Sequence, residues 1–158
     1  MNKFRLFVSH AQLAVFRSDL QNPFNDWIDQ HVAQGFAWRP GSVSFRSLVE
    51  SGMHSVSVEI VDRLCSLDAA VVRAIDVPFD VPESGCIEVS SISDSIPLAL
   101  APGSYLLRCE FHAPGLDGNE HVRLVFSKGD PVGFSITRAD PDLDAGKELL
   151  TTAEQAPT

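Results

Sequence analysis

Two histidines near a polar loop are the first residues whose chemistry has to be judged. His112 and His121 flank residues 113–120 and could face each other across a hairpin, where Asp117 or Glu120 could complete a metal site. The simpler interpretation is that both are surface histidines beside a polar loop. We therefore predict no metal site and no cofactor.

Motifs for catalysis are missing from the chain. It contains no GxSxG, HExxH or GxGxxG pattern and no Walker-type glycine loop. In the C-terminal segment, Asp140, Asp142 and Asp144 are spaced like the first ligands of a calcium loop. Ala145 stands where that loop needs glycine, and Thr151 stands where it needs glutamate. We predict no catalytic residue and no calcium site, so the chain is not expected to be an enzyme.

Alternating apolar and polar residues show which elements must position any site. The run at 54–61 places Val56, Val58 and Ile60 on one face, and about nine or ten such short segments are separated by Gly and Pro turns. This pattern predicts a mainly β fold, an antiparallel β-sandwich. Pro78 interrupts one segment and suggests an edge position or a bulge, because proline cannot donate to a sheet.

One segment has helical rather than alternating spacing. Asn22 and Pro23 can begin a helix, and Gly35 can end it. Between them, apolar residues and a histidine recur at helical spacing: Phe24, Trp27, Ile28, His31 and Val32. We predict one short amphipathic α-helix over about 24–34, laid against a sheet or capping the open end of the sandwich. The sandwich should span residues 1–138, and residues 139–158, which lack a sustained apolar pattern, should be an acidic, disordered tail.

The charge of the chain indicates what kind of partner it could bind. Its 158 residues carry 12 Lys and Arg against 21 Asp and Glu, which gives a net charge of −9. Such a surface repels nucleic acid and attracts basic proteins. We expect a basic protein partner, no direct nucleic-acid contact and no insertion into a membrane. Cys65, Cys86 and Cys109 have no CxxC spacing, and an odd, sparse set fits a reducing, cytoplasmic location.

A resemblance to a known family adds to this interpretation. The segment from His10 to Phe45 contains Asp26-Trp27-x-Asp29, then Gly35-Phe36 and Val43-Ser44-Phe45; further on come Val77-Pro78-Phe79 and a Pro-Gly turn before Tyr105. This arrangement resembles the competence protein J family. The resemblance implies a β-sandwich with one helix, a role as a binding inhibitor of an endonuclease, and no catalytic residues. The acidic extension beyond Arg138 departs from the family pattern.

These observations lead to one functional hypothesis and one alternative. The hypothesis is a protein-binding inhibitor of a DNA-entry or toxin-like endonuclease. Its candidate partner-binding residues are Asp26, Trp27, Asp29, Trp38, Asp117 and Glu120. The alternative is a small-molecule or carbohydrate-binding sandwich that uses Trp27 or Trp38 as a stacking platform. Helical spacing favours burial of Trp27, and Asp26 and Asp29 also suit the positive end of a helix.

Overall fold

A computed structural model describes residues 2–115 and 118–157 of the chain. These residues form eleven strands and one helix. The elements are β1 (Asn2–Val8), β2 (Gln12–Arg17), α1 (Asp29–Gln34), β3 (Phe36–Arg39), β4 (Ser42–Arg46), β5 (Gly52–Val61), β6 (Val71–Val81), β7 (Cys86–Ser90), β8 (Ser95–Ala99), β9 (Gly103–His112), β10 (Glu120–Ser127) and β11 (Ser135–Arg138). No helix within the described ranges is long and apolar enough to cross a membrane.

The strands form two sheets that enclose one core. The first sheet has the order β1-β5-β10-β9-β6-β11, and the second has the order β3-β4-β2-β7-β8. Inward residues of both sheets, such as Leu6, Val58 and Val15, are fully or almost fully buried. The predicted β-sandwich is therefore confirmed, since each strand alternates between a core side and an outer side.

One strand pair differs from the predicted antiparallel arrangement. β10 runs parallel to β5, with Val122 opposite Val56 and Leu124 opposite Val58, whereas every other strand pair in the described ranges is antiparallel. Period-2 alternation is the same in both directions, so the sequence could not reveal this pair. It joins β1 and β5 to the rest of the first sheet.

The helix is shorter than the predicted 24–34 and presents a different face. It begins at Asp29 and ends at Gly35, which has a left-handed φ of 86° as its position requires. Residues 22–28 are not helical; they form a segment, here called the strap, that lies over the second sheet. Within the helix the buried side chains are polar His31 and Gln34, while Val32 is exposed. The predicted face is therefore only partly buried, because His31 on that face is covered and Val32 is not.

The buried face of the helix can be polar because the C-terminal segment supplies hydrogen-bond partners for His31 and Gln34. Gln34 donates from Nε2 to the carbonyl oxygens of Phe36 and Leu150, and its Oε1 accepts from the Leu150 amide. His31 contacts the Thr152 carbonyl oxygen through Nε2 at 2.9 Å. Buried amide and imidazole groups are tolerated when they are hydrogen-bonded in this way.

Residues 139–157, here called the tail, were expected to be disordered, but the structure packs them along the helix and strap. Asp140 forms a two-bond ion pair with Arg73, whose side chain is only 1% exposed. Leu143 is buried against Gly35. Near the end of the tail, Gln155 forms a β-bridge with Asn25. The prediction of disorder rested on the low apolar content of the tail. A few leucines and the buried Arg73 are enough to hold such an extended segment in place.

Candidate functional site

The strap owes its position to Asn25, the residue just before the predicted site. Asn25 is buried, and its Nδ2 donates to the carbonyl oxygens of Ala37 and Ser42 at 2.9 and 3.2 Å. Arg39 in turn donates from Nε to Asn25 Oδ1 at 2.6 Å. Because an amide with three partners is fixed in orientation, Asn25 holds the strap against β3 and β4.

The tail fixes the strap from the other side. The Asp26 amide donates to the carbonyl oxygen of Glu154 at 2.8 Å, and the Ile28 amide donates to His31 Nδ1 at 3.0 Å. With Nδ1 accepting, a proton on Nε2 lets His31 donate to Thr152, so one imidazole ties the helix start to the tail. The side chains of Asp26 and Asp29 remain exposed.

Together the strap, helix and tail present one continuous acidic surface. Its apolar centre is Ile28 and Val32, which are four residues apart on the helix and 53% and 42% exposed. Exposed carboxylates of all three segments accompany them: Asp26, Asp29, Asp142, Asp144, Glu148 and Glu154. Two cations lie beside them: Lys147 is 3.7 Å from Asp144, and Arg46 donates from Nη1 to the carbonyl oxygens of Val32 and Asp142. The six carboxylates outnumber these two cations. We call these residues the helix–tail surface.

Carboxylates around an exposed apolar pair have a chemistry that suits a positively charged surface. A compact group of carboxylates steers positive surfaces toward it, and an exposed apolar pair supplies contact area that is desolvated on binding. Sequence reasoning selected Asp26 and Asp29 but missed Ile28, Val32 and the carboxylates of the tail. The signal that could have found them is the set of leucines at 143, 149 and 150, which mark the tail as a packed segment.

The two tryptophans do not lie on this surface as exposed rings. Trp38 is half-buried between the sheets, where its Nε1 donates to the Pro78 carbonyl oxygen at 2.7 Å and its ring meets Phe134 edge-on. The pairing of β11 with β6 ends at Ser135 and Asp76, so Pro78 lies on an unpaired edge of β6. An edge position of this kind is typical of proline in a strand. Trp38 therefore links an edge of each sheet.

Trp27 is half-buried beneath the strap. Its ring lies edge-on to His31 and borders a cavity of about 140 Å³, and its indole N–H is buried without a hydrogen-bond partner in the described ranges. Neither tryptophan thus presents an open ring face of the kind that stacks on a sugar. This geometry gives the small-molecule alternative no support from either residue.

The other two predicted partner-binding residues are Glu120 and Asp117. Glu120 begins β10 opposite the buried His54 in the first sheet, away from Asp26 and Asp29 over the second. The charge of Glu120 tends to raise the pKa of His54, but burial outweighs it and lowers that pKa. Asp117 lies outside the described residues. The structure therefore brings Asp26 and Asp29 together with the tail, and it does not bring Glu120 to them.

The paired histidines do meet across the β9–β10 hairpin. Val122 is opposite Phe111, which places His112 beside His121, and His112 Nε2 is 3.9 Å from Glu110 Oε1. Burial lowers the pKa of His112, with a smaller contribution from His121. Among the residues that the structure describes, no group of three or more His, Cys, Asp or Glu side chains could hold a metal ion.

The fold and its surface define a small two-sheet β-sandwich protein with an exposed acidic helix–tail surface. The chain belongs to the competence protein J family, whose model matches residues 5–127. It is 30% identical over 106 residues to the DNA-entry nuclease inhibitor of Bacillus subtilis (strain 168), a match that covers 66% of this chain and 76% of that protein. The family predicted from the sequence is thereby confirmed.

A solved structure shows the same fold. The crystal structure of ComJ from Bacillus subtilis, described as an inhibitor of the DNA-degrading activity of NucA, superimposes with a TM-score of 0.71 and 21% sequence identity. The match covers 81% of this chain and 96% of that one. The whole tail lies beyond residue 127, where the family model ends, so the helix–tail surface combines family and additional residues.

Proposed function

We propose that this protein inhibits a DNA-degrading nuclease by binding to it. The observation that carries the proposal is the family match over residues 5–127, together with a 30% identical relative named DNA-entry nuclease inhibitor. The protein acts here as a binding partner and leaves catalysis to the nuclease. The fold gives such an inhibitor a rigid scaffold, because a preorganised surface loses little entropy on binding.

The helix–tail surface is the part of the molecule that would contact the nuclease. A nuclease that grips DNA presents basic residues, and the six carboxylates around Ile28 and Val32 complement them. The apolar pair would be covered in the complex and provide the lasting contact, while the carboxylates accelerate the encounter. Occupying the DNA-binding surface in this way blocks the substrate without chemistry.

We also place this function in a reducing, cytoplasmic setting. Cys65 and Cys86 are exposed free thiols, and Cys109 is a buried one whose pKa is raised well above its ordinary value by desolvation. Exposed unpaired thiols persist best where cellular reductants keep them reduced. Fractionation of the source cells, with the protein detected in the soluble contents, would support this placement, and its recovery outside the cell would contradict it.

The test measures degradation of linear double-stranded DNA by NucA of Bacillus subtilis as purified protein is added. We expect near-complete inhibition at or above one protein per nuclease, weakening as salt rises because charged contacts are screened. The double variant Asp26→Asn/Asp29→Asn should slow association about tenfold at low salt. Ile28→Ala should instead speed dissociation, since it removes apolar contact.

Glu83→Gln is the matched control, because Glu83 is an exposed carboxylate in the turn between β6 and β7, outside the helix–tail surface. It should inhibit like the parent protein. Undiminished DNA degradation in the presence of excess folded protein would contradict the proposed function. If Glu83→Gln and Asp26→Asn/Asp29→Asn had equal effects, the protein would still be an inhibitor, but the helix–tail surface would not be the surface that binds the nuclease.

A further inference from the structure

A groove on the opposite side of the molecule is unrelated to the helix–tail surface. It runs over the outer face of the first sheet, has a volume of about 660 Å³ and is bordered by β1, β5 and β10. β5 contributes short Ser55 and Ser57 along its centre. Longer side chains flank them on both sides, and these are Lys3, Arg5, His121 and Arg123. The groove is concave because β5, with its short serine side chains, lies between β1 and β10, whose side chains are longer.

The cations of β1 differ from most others in the chain. Of the 12 Lys and Arg side chains, eight make a hydrogen bond or ion pair within the described ranges: Arg17, Arg39, Arg46, Arg73, Arg108, Arg123, Arg138 and Lys147. Lys3 and Arg5 make none there, although they lie two residues apart on one face of a strand. In a protein of net charge −9, two neighbouring uncompensated cations mark a local positive site.

An apolar pair continues the same face beyond Arg5. Phe7 on β1 is directly opposite Met53 on β5, and their side chains are 41% and 40% exposed. A phenyl ring and a thioether in cross-strand contact form a small apolar platform. The groove therefore has cations and hydroxyl donors along its length and an adaptable apolar contact at one end.

We propose that this groove binds an extended acidic segment of a partner polypeptide. Carboxylates of the segment would pair with Lys3 and Arg5 and accept hydrogen bonds from Ser55 and Ser57. An apolar side chain of the segment would rest on Phe7 and Met53. An extended chain repeats its side chains on one face about every 7 Å, a spacing close to the two-residue spacing of Lys3 and Arg5 on β1.

The surroundings favour a polypeptide over a nucleic acid. Arg123, on the far side of the groove, is already paired with Glu59 and Glu110, so a long polyphosphate would meet these two carboxylates. The net charge of −9 also repels a polyanion more strongly than a short peptide with a few carboxylates. The apolar pair offers nothing to a phosphate backbone, but it suits a leucine or valine side chain.

The proposal is independent of nuclease inhibition, because no residue that lines the groove belongs to the helix–tail surface. A variant of the groove is expected to inhibit the nuclease normally. Failure of the groove experiment therefore leaves the proposed function in place, and failure of nuclease inhibition leaves the groove testable.

The experiment measures the fluorescence anisotropy of an acetylated, labelled eight-residue peptide of alternating Glu and Leu titrated with the full chain. The comparison ligands are the same peptide with Gln for Glu and a labelled oligothymidylate of eight nucleotides. We expect saturable binding of the Glu peptide alone. Lys3→Gln/Arg5→Gln should weaken it about tenfold, the upper range for two exposed ion pairs.

Arg63→Gln/Lys128→Gln is the matched control, since it removes two positive charges that also lack a hydrogen bond or ion pair in the described ranges but lie outside the groove. It should weaken binding less than twofold. Met53→Ser, on the exposed apolar pair, should weaken binding of the Glu-Leu peptide but not that of a Glu-Ser peptide. Circular dichroism confirms that each variant is folded.

Four results would overturn the proposal. They are absence of saturable binding at millimolar protein, equal binding of the Gln peptide, equal losses in the two double variants, and binding of the oligothymidylate in preference to the peptide. The last result would replace the polypeptide by a phosphate-bearing ligand.

Discussion

Strands β4 and β5 have almost the same sequence pattern and opposite surroundings. Ser42-Val43-Ser44-Phe45 and Ser55-Val56-Ser57-Val58 both alternate a serine with an apolar core residue. In β4 both serines are fully buried, and the strap covers Ser42, whose hydroxyl donates to the Pro23 carbonyl oxygen; in β5 both are only partly buried and line the groove. Alternation thus determines the inner face of a strand, while distant segments determine whether its outer face is covered.

The largest expected effect comes from breaking the buried ion pair that joins Asp140 of the tail to Arg73 of β6. Asp140→Asn leaves the Arg73 guanidinium buried without its carboxylate, so we expect a loss of about 3 kcal/mol in the free energy of unfolding. Urea denaturation measures it. Asp144→Asn is the control: it removes the same charge from an exposed pair and should change the free energy by less than about 1 kcal/mol. Equal, small effects would show that the Asp140–Arg73 pair contributes little to holding the tail in place.

A second prediction concerns the apolar contact between Leu143 of the tail and Gly35 at the end of the helix. Leu143 packs on Gly35, where an added Cβ would lie 2.9 Å from Leu143 Cδ2. Leu143→Ala should lower the free energy of unfolding by about 2–3 kcal/mol, because a buried side chain is lost and a cavity remains. Leu149→Ala, at a less buried position, should cost less in the same urea titration. A reversed order would place the main anchor of the tail at Leu149 instead.

The third prediction separates the two tryptophans. Trp38→Phe removes the hydrogen bond to the Pro78 carbonyl and should cost about 1–2 kcal/mol of unfolding free energy. Trp27→Phe removes a buried indole N–H that has no partner in the described ranges, so it loses no hydrogen bond and should cost less. Thermal denaturation of both variants measures the difference. A larger loss for Trp27→Phe would mean that its indole nitrogen does have a partner, such as an internal water.

The smallest effect is a pH dependence that comes from His54, a buried histidine on the core side of β5. Burial lowers the pKa of His54 in the folded state below its value in the unfolded chain, about 6.5. Stability from the neutral imidazole is therefore complete above that pH and declines as pH falls through 6.5 toward the folded pKa. His54→Gln should flatten this decline in denaturant titrations at pH 7.5 and 5.5. His10→Gln, at an exposed histidine, is the control variant, and an unchanged slope for His54→Gln would assign the decline to other groups.

Much of the sandwich could be predicted because each strand carries its own alternation and its own turn signals. Gly35 was also predictable as the helix end, since a left-handed residue there favours glycine. The beginning of the helix was not, because Asn25 has long-range partners on β3 and β4 that hold the strap in a non-helical form. Local capping preference predicted a helix from Pro23, and tertiary hydrogen bonds overrode it.

The candidate site was only partly predictable for the same reason. Asp26 and Asp29 stand out as carboxylates beside a tryptophan, and both are exposed in the structure. Ile28 and Val32 looked like core residues at helical spacing, because the pattern cannot show that His31 and Gln34 occupy the buried face. The pairing of the tail with Arg73 spans 67 residues, a distance over which sequence patterns carry no signal.

The parallel contact between β5 and β10 also dictates an order of folding. More than 60 residues separate Val56 from its neighbour Val122, so β1 and β5 cannot join the first sheet until the chain beyond Ser127 has emerged from the ribosome. Until then the edge of β5 that pairs with β10 has no partner. Such non-local closure predicts refolding on the millisecond-to-second scale rather than in microseconds.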